Sequence, residues 1–151
     1  MTILDANILI YAYNEDAPQR RAAAEWIEQL FNGAEMIGLP WTTIWAFLRI
    51  STNARAWPKP ISVDDAFAAI QDWLGRPNLT IIQPGARHAE LLEKLVREGN
   101  ASGPLVSDAA LAALAMENGA ALASTDRDFS RFPGLRWINP LEGVAGCSPC
   151  D

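Results

Sequence analysis

One carboxylate near the start of the chain constrains the fold more than any other residue. Met1-Thr2-Ile3-Leu4 runs into Asp5, and the residues from Ala6 to Tyr13 are again mostly apolar. A charge set between two core-forming segments is costly to bury unless something pairs with it. The pattern predicts that Asp5 closes the first strand of a parallel sheet. In open parallel sheets the ligand sites lie at that carboxyl edge.

The rest of the chain supplies such a sheet. Short apolar runs at 35–39, 79–82, 120–124 and 135–138 read as strands. Helical periodicity marks 6–13, 19–31, 41–52, 63–74, 86–98 and 105–117. Ser62 followed by Asp65 resembles a capping box at the fourth of these helices. Strands and helices alternate, which predicts an α/β fold with a central parallel sheet covered on both faces. The helix at 41–52 is apolar nearly all round, with Arg49 its only charge, so it belongs in a core or at a subunit interface. Trp41, Trp45, Phe47, Trp57, Phe67 and Trp73 crowd this part of the chain, and most are expected in the core.

At 151 residues one domain is expected, 1–142, followed by a flexible tail at 143–151. The tail holds both cysteines, Cys147 and Cys150, and a lone CxxC is half a zinc site at most. No apolar run approaches the ~20 residues that span a membrane, and no leader pattern precedes the first strand, so a cytoplasmic protein is expected. One histidine, His88, expected to cap or pack, gives serine-triad and cysteine-protease schemes little support. There is no Gly-rich phosphate loop or GxGxxG after the first strand. The net charge of −6 argues against a nucleic-acid partner held by a basic face. Carboxylates that bind cations reverse this, because the metal inverts the local field.

Three carboxylates invite that arrangement. Asp108 is the only charge in the twelve residues from Leu105 to Met116. Asp126 leaves the strand at 120–124 much as Asp5 leaves the first, and Asp128 follows where a turn aspartate would cap the segment starting at Phe129. If Asp5 and Asp126 end neighbouring strands and Asp108 opens the helix beside them, their repulsion raises their pKa values until a cation relieves it. The donors are all oxygens, which suits Mg²⁺ or Mn²⁺ over zinc. Such a site activates water and clamps the phosphate of an in-line displacement, which points to metal-dependent phosphodiester hydrolysis.

At these residues the sequence resembles the PIN-domain proteins, in particular the toxins of VapBC-type toxin–antitoxin pairs. The matching stretches are Leu4-Asp5-Ala6-Asn7, the Trp-rich segment through Phe47-Leu48-Arg49, Asp108 to Ala115, and Ser124-Thr125-Asp126-Arg127-Asp128-Phe129. The resemblance implies an α/β/α sandwich, Mg²⁺- or Mn²⁺-dependent endoribonuclease activity (often on tRNA or ribosomal RNA), a homodimer, and inhibition by a VapB-like antitoxin. It implies Asp5, Asp108 and Asp126 as catalytic metal ligands, with Asp128 as a helper. Asn7 and Thr125 would orient carboxylates, and Arg49 is a candidate phosphate contact. The family usually has a glutamate three residues before Arg49, where this chain has Ala46. The site then holds one metal firmly, borrows an acid such as Glu15 or Asp16, or is weakened. An alternative follows: a degenerate PIN domain that dimerises and binds RNA or antitoxin without cutting. A phosphatase with an aspartyl nucleophile ranks last, because Asn7 stands where its second aspartate belongs.

Overall fold

The computed structural model describes residues 1–142, so the stretch expected as a tail, with Cys147 and Cys150, lies outside the described residues. Among the described residues five strands form one sheet: β1 (Thr2–Leu4), β2 (Ile37–Pro40), β3 (Leu79–Ile82), β4 (Ala121–Ala123) and β5 (Trp137–Ile138), in the order β3-β2-β1-β4-β5. Every pairing is parallel. The α-helices of the described residues are α1 (Ala6–Tyr13), α2 (Arg20–Asn32), α3 (Trp41–Ser51), α4 (Val63–Leu74), α5 (His88–Glu98) and α6 (Leu105–Glu117).

Successive residues of a strand face opposite sides of the sheet, and β1 shows it. Leu4 packs among the side chains of α1 to α4, while Ile3 packs among those of α5 and α6. Two cores result, one on each face, and the fold is the α/β/α sandwich that the alternation predicted. The first core is built round Tyr13, Phe47 and Trp73, whose rings meet edge to face with centroids 4.7–5.6 Å apart. The Trp73 indole N–H donates to the Tyr13 hydroxyl at 3.0 Å, so the polar atom of a fully buried tryptophan is satisfied.

Several expected boundaries move, three of them for a visible local reason. The first strand stops at Leu4, because Asp5 is the N-cap of α1 and accepts from the Ala6 amide. The second begins at Ile37 instead of 35, because Glu35 turns aside to accept from the Thr2 hydroxyl. The fifth helix begins at His88 instead of 86, because Glu117 accepts from the Gly85 and Arg87 amides and holds them in a turn. The last strand begins at Trp137 instead of 135. The Ser62 cap is as expected, accepting from the Asp65 amide at 3.0 Å.

The aromatic residues divide more evenly than expected. Phe47 and Trp73 are fully buried, but Trp41 (40% exposed), Trp45 (62%) and Phe67 (46%) face outward. Helix α3 is therefore half core and half surface, with Thr43, Ile44, Phe47 and Ser51 on its buried side. Among the described residues no helix is long and apolar enough to cross a membrane.

Candidate active site

The sheet brings the exits of β1 and β4 together. Leu4 is in register with Ala123, and the Asp5 amide donates to the Ala123 carbonyl at 3.0 Å. The next residue along β4 is Ser124, fully buried, and its hydroxyl is the hub of the site. It donates to Asp5 Oδ2 at 2.7 Å and accepts from Asn7 Nδ2 and from the Asp126 amide, both at 3.0 Å. A hydroxyl has one proton and two lone pairs, so all three are used. Asn7 Oδ1 accepts in turn from the Thr125 amide at 3.4 Å.

This network adds a residue to the expected set. Ser124, not Thr125, is the hydroxyl bound to a carboxylate, and Thr125 takes part through its backbone. The signal for Ser124 was a polar residue ending an apolar strand beside the exit of another. It became decisive only once β1 and β4 were neighbours.

Helix α6 delivers Asp108 from the other face of the sheet, in its first turn. Carboxylate oxygens of Asp108, Asp126 and Asp128 lie within 4.8 Å of one another. Asp126 caps a short 3-10 helix, Arg127–Arg131, and accepts from the Asp128 amide at 2.9 Å. That cap points both aspartates toward the same space. The sequence had given the capping role to Asp128. Asp5 lies behind this trio with each oxygen already accepting a hydrogen bond. Arg49 is exposed on α3 and lines a groove shared with Ser107, and Asp16 accepts from the Lys59 amide in an exposed loop.

The electrostatics reflect crowding. Burial pushes the Asp5 carboxyl above its ordinary value, opposed by the bonds from Ser124 and Ala6, and the Asp126 charge pushes it further up. Burial also pushes Asp108 up, to about 6, followed by repulsion from Asp126, Asp5 and Asp128, while Arg131 pulls it down. Hard oxygen donors that repel one another in this way suit a divalent cation, so the donor set fits the metal that the sequence implied.

A well-formed concavity lies beside the cluster, on the Ser107 side of α6. A groove of about 860 Å³ runs between α3 and α6, lined by Trp41, Trp45, Ala46 and Arg49 on one side and Ala110 and Leu111 on the other. His88 borders it, with Nδ1 3.7 Å from Glu117 Oε2, so the lone histidine packs there instead of joining the aspartates.

Comparison with known proteins places these features in a family. The PIN domain family matches residues 2–135. Ribonuclease VapC37 of Mycobacterium tuberculosis is 36% identical over 140 residues, which cover 93% of this chain and 97% of that protein. Ribonuclease VapC31 of the same species is 40% identical over 141 residues, covering 93% and 99%. The fold is similar to that of VapBC2 from Rickettsia felis, solved bound to a DNA fragment from its promoter, with a TM-score of 0.66 at 20% identity over 91% of this chain and 97% of that one. It is also similar to Mycobacterium tuberculosis VapC20, a Sarcin-Ricin loop cleaving toxin, with a TM-score of 0.63 at 17% identity over 90% and 99%.

Proposed function

We propose a function for this chain, which belongs to the PIN domain family. Residues 1–142 form a single PIN unit that acts as a metal-dependent endoribonuclease, the toxin of a VapBC-type pair. The observation that carries this reading is the meeting of Asp108, Asp126 and Asp128 in front of Asp5. The 36% and 40% identity, over nearly the full length of proteins named as ribonucleases, supports RNA as the substrate.

The chain's own residues divide the work. Asp5, Asp108 and Asp126 hold Mg²⁺ or Mn²⁺, with Asp128 beside them. A divalent cation there supplies Lewis-acid polarisation of the scissile phosphate and of water. The hydrogen bonds from Ser124 and the Ala6 amide oppose the burial that pushes the Asp5 pKa up, and they aim its carboxylate at the site. Asn7 locks Ser124 so that its proton goes to Asp5. Asp108, half protonated near pH 6 when no cation is bound, gains its full charge as the site fills.

Ala46 lies at the α3 groove, so α3 brings no acid to the cluster. Three carboxylates converge without it, which favours cleavage over a degenerate binding module. The partners that fit this reading are RNA (tRNA or ribosomal RNA), a VapB-like antitoxin and a second copy of the chain, in the cytoplasm. The exposed Trp41 and Trp45 beside the groove suit a protein interface, where aromatic residues are enriched. The test is cleavage of total RNA with Mg²⁺ or Mn²⁺. Asp5→Asn, Asp108→Asn and EDTA should each abolish it, and cleavage that survives all three would sink the metal mechanism.

A further inference from the structure

Arg131 stands beside the carboxylate trio and has no part in the reading above. It ends the short 3-10 helix that Asp126 caps. Its Nη1 donates to the Gly99 carbonyl at 3.1 Å, in the turn between α5 and α6. Its Nη2 lies 3.5 Å from Asp128 Oδ1, three residues back on its own helix. Its Nε is buried with no hydrogen-bond partner among the described residues. The guanidinium is thus clamped between the turn that leads into the Asp108 helix and the aspartate that completes the trio.

The clamp depends on close packing. The Phe132 ring lies against Gly99, where an added Cβ would come within 2.8 Å of both that ring and the Leu95 carbonyl. Phe129 and Phe132 are buried together, with ring centroids 6.2 Å apart. These contacts fix the 3-10 helix against the end of α5, and so fix where Arg131 reaches the Gly99 carbonyl. The anchored end carries the geometry, because a guanidinium presents its donors in a rigid fork.

Asp128 needs such a brace. It is exposed, and the two other aspartates repel it. Nothing buries its side chain in place, as the sheet edge does for Asp5. Left free, the carboxylate would swing to solvent.

We propose that Arg131 is a positioning residue: anchored on the Gly99 carbonyl, it holds the Asp128 carboxylate beside Asp108 and Asp126, so that Asp128 supplies the acid that Ala46 does not. This rests on the metal reading above and deepens it. The arrangement makes Asp128 a full ligand instead of a helper.

Charge alone predicts the opposite result to positioning. Removing a cation next to a cation site tightens metal binding if electrostatics is all that Arg131 contributes. Losing a brace weakens it, by the ~10- to 100-fold typical of outer partners of metal ligands. Mn²⁺ affinity of the full chain, measured by electron paramagnetic resonance of the free ion, separates the two without relying on activity. Asp128→Asn and Arg131→Met should each weaken Mn²⁺ binding about tenfold. The double variant should be no weaker than Asp128→Asn alone, and Arg131→Lys should recover part of the loss.

Unchanged or tighter binding in Arg131→Met, with thermal stability retained, overturns the proposal. So does a double variant whose losses multiply. If Arg131→Met proves unstable, the comparison of Arg131→Lys with wild type decides: an intermediate affinity supports the brace and an equal or higher one refutes it. Asp5→Asn and Asp108→Asn are the controls for the underlying reading. If neither alters Mn²⁺ affinity, the metal site itself is wrong. If both do and Arg131→Met does not, only the brace is wrong.

Discussion

Helix α6 separates two regions that differ in nearly every physical respect. Its first turn presents Asp108 to a polar cluster at the carboxyl edge of the sheet, assembled from the exits of β1 and β4 and the 3-10 helix. One turn on, Ala110 and Leu111 line a groove whose far wall is the tryptophan-bearing face of α3. The cluster is rich in charge. The groove has no carboxylate among its lining residues. On the proposed reading, chemistry and surface recognition are divided between two sides of one helix.

The sharpest way to break this division is to remove charge from the cluster. Asp108→Asn should abolish RNA cleavage, because it removes a metal ligand from the cluster. A groove variant that did equal damage to cleavage of a short RNA would contradict the separation. Ser124→Ala comes next, because it strips Asp5 of its hydrogen bond and frees Asn7. A loss of about 10- to 100-fold in Mn²⁺ affinity or activity is expected, with the same midpoint of thermal unfolding to within a few degrees.

The groove makes its own prediction. Trp45→Glu should weaken self-association by about thirtyfold, the effect of losing an interface hot spot of ~2 kcal/mol. Sedimentation should show it, while Mn²⁺ affinity stays at the wild-type value. Retained self-association would remove the groove from the dimer interface.

A smaller effect reports on crowding. The folded state holds the Asp108 proton up to about pH 6, against 3.8 for an ordinary carboxyl. Between these values the folded state binds more protons than the unfolded one, so this group's contribution to stability falls as pH rises through the window. In EDTA, Asp108→Asn should therefore melt above wild type at pH 7.5, with the gain largely gone at pH 4. Each kcal/mol corresponds to about 2–4 °C in a domain of this size. An equal gain at both pH values would show that Asp108 carries no such strain. The smallest effect belongs to Ala46→Glu, which should change cleavage by about threefold or less, under ~0.7 kcal/mol. A larger gain would mean that the trio lacks an acid that Asp128 does not replace.

Much of this site was legible residue by residue. Asp5, Asp108 and Asp126 stood out because each interrupts an apolar segment, and a charge in such a place needs a reason. Helices α1, α4 and α6 fell where periodicity and caps put them. What was not legible was the hydrogen-bond hub. Ser124 is one small polar residue among many, and its three bonds join positions 5, 7 and 126. Arg131 gave no signal, since its partner Gly99 lies 32 residues away in a turn. The aromatic residues of α3 misled in the opposite direction, because amino-acid type reports hydrophobicity and not whether a neighbour covers it.

The sequence by itself determined the alternating elements, the parallel sheet they imply and the three carboxylates at its edge. Those follow from periodicities of two and 3.6 residues and from the cost of burying charge, which act locally. Only the tertiary structure decided that β1 and β4 are neighbours, that Ser124 holds Asp5, that Asp128 joins Asp108 and Asp126, and that Trp41 and Trp45 stay exposed. These are questions of which distant segments meet and at what distance. Strand order and side-chain packing settle them, and neither is written in any single stretch of the chain.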